Sequence, residues 1–225
     1  MGKKVLITGA TGMVGKAVML ECLEHDGIDE VLVLSRSLVG ESDPKLKELL
    51  ISNFKDYSGY KGLLKEYDAA YLCMGVSVAG KSEEKYTEIT YEYTMALANI
   101  LYELNPDMVI TYVSGEGTDS SEQGKVMWAR VKGKTENNLM RKGFKGAYMF
   151  RPGIIIPLKG IKSKTKLYQF FYDYFMWAIK LYRKIKPEAV ITTTQLGQAM
   201  INVTFQGYDQ DILQPKDIID VSRVK

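Results

Sequence analysis

The start of this chain constrains it most: a short apolar run leads into three glycines at three-residue spacing, then into a helical pattern. Lys3-Lys4-Val5-Leu6-Ile7-Thr8 has the charged start and apolar body of a buried parallel strand. Gly9-Ala10-Thr11-Gly12-Met13-Val14-Gly15 follows, and Val14, Val18, Met19, Cys22 and Leu23 recur at helical spacing. The first glycine permits a tight turn, the second lets backbone N–H groups approach a pyrophosphate, and the third allows helix and strand to pack closely. The helix N-terminus adds unpaired N–H groups and a partial positive charge. Glycines alone often punctuate ordinary turns, but the strand before and the helix after supply the context of a dinucleotide-binding half-site. Gly9, Thr11, Gly12, Met13 and Val14 are its expected phosphate-side residues.

The end of the second strand decides which dinucleotide fits. Glu30 to Ser35 reads as that strand, and Ser35 and Arg36 stand where an NAD-preferring site places an acid for the ribose 2′-OH. An arginine cannot accept those hydroxyl hydrogens, whereas its planar fork of donors matches a 2′-phosphate, so NADP(H) is favoured over NAD(H). Val39 to Lys47 is polar and reads as a surface loop. A third strand is expected over Glu48 to Asn53, followed by Phe54, which either flanks an adenine or fills the core.

Strand and helix patterns keep alternating along the chain. Asp68 to Cys73 reads as a fourth strand whose end, Cys73-Met74-Gly75, lets the backbone pass close to a cofactor. Lys81 to Leu104 carries apolar residues at helical spacing, with the tyrosines Tyr86, Tyr91 and Tyr93 read as core, and Asn105-Pro106 stops it. Asp107 to Ser114 follows as a buried fifth strand, and Gly146 to Arg151 as a sixth. The alternation predicts right-handed crossovers and a doubly wound parallel α/β sheet of Rossmann type, covered on both faces. Ligands of such sheets bind beyond the carboxyl ends of the strands, which puts Gly9, Ser35, Gly75 and Ser114 along one rim.

With 225 residues, 46% of them hydrophobic and 25% charged, the chain has the make-up of one ordinary globular domain spanning 1–225. A net charge of +3 gives little support to nucleic-acid binding. Cys22 and Cys73 form no pairing or metal motif, which suits a reducing compartment, and the absence of a signal or lipidation pattern predicts a cytoplasmic protein. The single histidine, His25, is expected to cap carbonyls at the end of the first helix, so histidine triads and histidine-based metal sites are not expected, and no metal site is assigned.

After Ser114 come the loop Gly115-Glu116-Gly117-Thr118-Asp119 and a helix expected from about Glu122 to Arg141. Together, Thr8-Gly9-x-x-Gly12-x-x-Gly15, Ser114, the helical Lys132 and Phe150-Arg151-Pro152-Gly153 resemble the short-chain dehydrogenase/reductase superfamily. Within it the chain is similar to the atypical branch related to the mammalian Tat-interacting oxidoreductase-like protein and grouped with epimerase/dehydratase and NmrA-like proteins. The resemblance runs from Lys3 to about Val221. It implies that Ser114 orients a substrate carbonyl, that Lys132 binds the ribose, and that Pro152, Gly153 and Ile154 lie by the nicotinamide, where backbone groups of Gly153 and Ile154 meet the carboxamide. The tyrosine that should deliver the proton, four residues before Lys132, is replaced by Trp128. An indole N–H donates a hydrogen bond but does not release and recover a proton near neutral pH. Two readings stay open: hydride transfer with another acid, such as a nearby tyrosine or water, or nucleotide binding without ordinary turnover. Slow or absent standard reductase activity is expected.

Residues 154–225 are read as substrate-pocket or interface elements of the same domain. Lys159 to Lys166 is a basic loop, and Leu167 to Tyr182 is a helix rich in aromatic residues. It reads as the wall of a pocket for an apolar substrate or as a contact with a second subunit or protein partner. Its basic flanks also suit a membrane-surface helix, although the run is too short to span a bilayer. A short strand at Ala189 to Ile191, a helix from Gln195 to Phe205 capped by Thr194, and a tail from Ile212 to Val221 complete the expected domain.

Overall fold

In the computed structural model, residues 2–161, 177 and 179–224 are described. Lys3–Thr8 (β1) is buried from Val5 onward and alternates between two cores, Val5 and Ile7 facing one and Leu6 the other. That double burial explains the nearly continuous apolar run. Around β1 lie β2 (Ile28–Ser35), β3 (Leu46–Leu50), β4 (Ala69–Leu72), β5 (Val109–Val113), β6 (Gly146–Phe150) and β9 (Ile212–Leu213), in the order β3-β2-β1-β4-β5-β6-β9. Every pairing in this seven-stranded sheet is parallel.

Helices cover both faces. α1 (Met13–Glu24), α6 (Thr193–Gln206) and α7 (Pro215–Ser222) close one face through Val18, Met19, Leu196, Met200 and Ile218. α2 (Lys61–Leu64), α4 (Tyr93–Leu104) and α5 (Met127–Met140) close the other through Leu64, Leu97, Leu101 and Leu139. The chain order reverses at β1 and β4, so the crevice that holds ligands in open α/β sheets opens beyond their carboxyl ends.

Several boundaries differ from the expectation, each for a local reason. β3 begins at Leu46, inside the stretch read as a loop, because Lys47 and Leu49 register against Leu32 and Leu34 of β2. The helix expected over 81–104 is three pieces: α3 (Glu83–Thr87), with the Ser82 hydroxyl accepting from the Lys85 N–H, a π-helical turn over Glu88–Glu92, and α4. α5 starts at Met127 rather than near Glu122. The Asp119 carboxylate accepts from the Ser121 and Gly124 N–H groups at 3.0 and 2.6 Å, and these side-chain bonds offer the backbone an alternative to helix. Thr192, not Thr194, caps α6, through a reciprocal pair of bonds with Gln195. Downstream of β6 the sequence reading missed β7 (Ile154–Ile156), which pairs in parallel with β8 (Val190–Thr192) as a separate two-stranded sheet.

His25 does not cap carbonyls with its ring: Nδ1 accepts from the Gly27 N–H at 3.0 Å, and the ring packs on Phe205. Cys22 and Cys73 are free thiols. Of the helix expected over 167–182, residues 177 and 179–182 are helical and the helix continues to residue 185; the remainder, together with Lys162, Lys164 and Lys166, lies outside the described residues.

Gly133 of α5 packs against the loop before the helix so closely that a Cβ there would stand 1.8 Å from the Asp119 carbonyl oxygen, whereas one on Gly62 of α2 would meet nothing within 4 Å. Gly133→Ala should therefore cost about 1–3 kcal/mol by overpacking, and Gly62→Ala should be neutral or add up to about 1 kcal/mol. Urea unfolding of the two variants checks the contrast in sign, and equal effects would contradict it.

Candidate functional site

At the crevice, backbone meets backbone. Gly9 has φ +75°, and a Cβ on it would lie 2.4 Å from the Cys73 carbonyl oxygen; a Cβ on Gly15 would lie 2.3 Å from the Gly9 oxygen. The Gly12 N–H donates to the Gly9 carbonyl at 2.8 Å, closing a turn through Ala10 and Thr11. α1 then starts at Met13 with no side-chain cap and no acid in its first turn, so Met13 and Val14 present N–H groups of the kind that hold phosphate. Across the crevice, Cys73 and Met74 are half-buried, and a Cβ on Gly75 would meet nothing within 4 Å. This glycine-lined opening fits a pyrophosphate in the manner of the Rossmann turn.

Along the rim, Ser35 is buried and its hydroxyl donates to the Ser37 carbonyl at 2.6 Å. Arg36 is exposed and, among the described residues, enters no ion pair. The neighbouring acids are engaged elsewhere, Glu41 with Lys16 at 2.7 Å and Glu48 with the Val39 N–H at 2.8 Å. Phe54 is buried, stacked on Tyr93 and edge-on to Tyr57. It is part of the core on the α4 side, and this placement favours the core-filling alternative of the two read for it.

The other end of the crevice holds the charged residues. The Lys132 ammonium donates to the Ser114 carbonyl, which ties α5 to the end of β5. Burial pushes the Lys132 pKa down to about 8, against the upward pull of the Glu136 carboxylate. The Ser114 hydroxyl points inward, its one proton directed to the nearer Glu136 carboxylate with the Phe150 carbonyl also within reach at 3.1 Å. Glu136 is fully buried and is gripped by Arg151, whose Nε lies 3.0 Å from Oε1 and whose terminal nitrogen pairs with Oε2. Arg151 also donates to Ser120. Ser114, Lys132, Glu136 and Arg151 thus form one connected group, with the Ser114 proton already committed to a carboxylate.

Trp128 is half-buried under the loop 115–118: a Cβ on Gly117, which has φ +83°, would sit 3.6 Å from its ring edge. Pro152 is buried and its carbonyl accepts from the Glu116 N–H at 2.9 Å. Gly153 is packed so tightly that a Cβ would fall 2.6 Å from Glu116 Oε2 and 3.0 Å from the Ala189 oxygen, and Ile154, at the start of β7, is exposed. Sequence reasoning missed Glu136 and Glu116. The signal for Glu136 was its place four residues after Lys132 on the same helix face; nothing in the sequence singled out Glu116.

A lysine whose folded-state pKa lies below its unfolded value is a cost at low pH, and the cost fades as pH rises from about 8 toward 10.5. Lys132→Met removes that cost. The stability of the variant relative to the parent should therefore be more favourable at pH 7 than at pH 10, as measured by urea unfolding at both values; a pH-independent difference would contradict it.

Over residues 5–128 the chain matches the NAD dependent epimerase/dehydratase family. It is similar to Protein HTATIP2 of Rattus norvegicus, 21% identical over 156 residues that cover 68% of this chain and 63%, less than two thirds, of that relative. It is also similar to the protein fmp52-1, mitochondrial, of Aspergillus terreus (strain NIH 2624 / FGSC A1156), 20% identical over 215 residues covering 92% of this chain and 90% of the relative. Among solved structures, glucuronic acid dehydrogenase from Chromohalobacter salexigens superposes with a TM-score of 0.67 at 15% identity, over 95% of this chain and 76% of that one. The enzyme WbmF from Bordetella bronchiseptica in complex with NAD+ gives 0.69 at 12% identity, over 97% and 77%. At these identities the structures speak for the fold. The family match covers more than half of the chain, and the chain belongs to the NAD dependent epimerase/dehydratase family, the atypical short-chain dehydrogenase/reductases that take a nicotinamide dinucleotide.

Proposed function

We propose that the protein is an NADP(H)-dependent oxidoreductase acting on a small apolar carbonyl or quinone-like substrate. The observation that carries this reading is the Lys132 ammonium held on the Ser114 carbonyl at the same rim as the uncapped N-terminus of α1. A cationic donor there suits a ribose hydroxyl, and the glycine turn suits the pyrophosphate. When bound, the dinucleotide supplies the hydride. Arg36, exposed and in no ion pair among the described residues, with Ser35 beside it, supports a 2′-phosphate and hence NADP(H).

A second reading rests on Trp128: the protein binds NADP(H) without turning over, as a sensor or partner-binding protein. On either reading the helix expected over 167–182 contacts a second copy or another protein, supported by Trp177, Leu181 and Ile185, which are 68%, 52% and 71% exposed at helical spacing. A monomer in sedimentation at micromolar concentration would argue against the homodimer. The two free thiols support a reducing compartment, and we place the protein in the cytoplasm; fractionation into an organelle would contradict this. Among the described residues no helix is long and apolar enough to cross a membrane.

Titration of the purified protein with both nucleotides, followed by a carbonyl panel, separates binding from chemistry. The parent should bind NADPH more tightly than NADH, and Arg36→Asp should reduce that preference by about tenfold or more, as loss of a charge-assisted phosphate contact does. Lys132→Ala should abolish NADPH consumption. An unchanged nucleotide ratio in Arg36→Asp would remove the assignment of Arg36, and tight binding with no turnover over long incubation would favour the second reading.

A further inference from the structure

We propose that Glu116 is the proton-transfer residue of this site, supplying the chemistry that the residue at the tyrosine position, Trp128, cannot. The inference rests on the oxidoreductase reading above. The two positions that serve a substrate oxygen in the resembled superfamily are otherwise disposed: the tyrosine position holds Trp128, whose indole does not release its proton near neutral pH, and the Ser114 hydroxyl is turned into the protein, toward Glu136 and Phe150. The carboxylate of Glu136 is fully buried and bound by Arg151, out of reach of a substrate.

Glu116 lies in the gap between these groups. A Cβ on Gly115 would be 4.0 Å from Lys132 Nζ and one on Gly117 would be 3.6 Å from the Trp128 ring, so the loop passes over α5 at these two residues, with Glu116 between the two contacts. The bond from its N–H to the Pro152 carbonyl, at 2.9 Å, fixes the backbone at the end of β6. From there the side chain reaches Gly153, where Oε2 occupies space that any Cβ would need, 2.6 Å away. Glycine at 153 is thus what allows the carboxyl to lie there. Glu116 is exposed and, among the described residues, enters no ion pair, so its side chain stays open to water and to a ligand.

In reduction the hydride of the reduced nicotinamide goes to the carbonyl carbon, and the C=O π pair moves onto oxygen. The Glu116 carboxyl gives that oxygen its proton, and the carboxylate regains a proton from solvent, so that one H+ is taken up per turnover. Oxidation of the alcohol by NADP+ is the reverse, with the carboxylate accepting the hydroxyl proton as hydride leaves for the nicotinamide.

The test compares the parent with Glu116→Gln and Glu116→Asp in nucleotide titrations and in turnover in both directions. Glu116→Gln should lower kcat by about 10²-fold or more in each direction, with partial recovery in Glu116→Asp. It should also weaken NADP+ by about tenfold while leaving NADPH within about twofold, because a carboxylate near the ring favours the cationic, oxidised nicotinamide. Parental turnover in Glu116→Gln would overturn the proposal. If the parent itself turns over no carbonyl or alcohol, the oxidoreductase reading and the proton transfer both fail; a selective loss of NADP+ affinity would then still support the carboxylate's place at the nicotinamide, and an unchanged NADP+ to NADPH ratio would remove that too.

Discussion

Three backbone segments meet at the carboxyl end of β1 with no room for side chains between them, and the site is laid out around that contact. Gly9 turns against the Cys73 carbonyl, and Gly15 of α1 turns against Gly9 itself, each so closely that a Cβ would fall within 2.4 Å of an oxygen. The contact sets where α1 begins and aims its unbonded N–H groups into the crevice between β1 and β4. It also explains why a buried strand runs straight into a glycine-rich turn: a longer or bulkier connection would lift the helix off the sheet and move the anion site with it.

The other end of the crevice depends on a buried charge pair. Glu136 and Arg151 are 0% and 8% exposed, and between them they engage α5, the end of β6, Ser114 and Ser120. Such a pair contributes little net stability against an apolar alternative, but losing one partner leaves an uncompensated charge, at a cost of about 3–5 kcal/mol. Its effect is positional. By taking the Ser114 hydroxyl it turns that side chain inward, and by holding β5, β6 and α5 together it leaves the Ser114 carbonyl as the acceptor for Lys132. The glycine turn and this charged group thus rest on different contacts.

The sheet was legible because double burial writes itself into the sequence as apolar runs of strand length, and the glycine turn because only glycine tolerates such contacts. The chemistry was less legible. Arg151 looked like the end of a strand, and its partner Glu136 like one more helical carboxylate, because burial and pairing are properties of the folded chain. Ser114 stands at the expected strand end, but the direction of its hydroxyl depends on Glu136, 22 residues further on. The late start of α5 and the strand β7 escaped for similar reasons: one depends on Asp119 bonding its own loop, the other on a partner strand at Val190–Thr192. Phe54 was ambiguous in sequence and is stacked among Tyr57 and Tyr93 in the structure.

Amide hydrogen exchange with and without saturating NADPH tests most directly whether a dinucleotide lies across the crevice with its pyrophosphate on the first turn of α1. Exchange should slow in residues 9–15 and 73–75, with the loop 115–118 and residues 152–154 following at the nicotinamide end. NADPH that binds but leaves the exchange of residues 9–15 unchanged would contradict it.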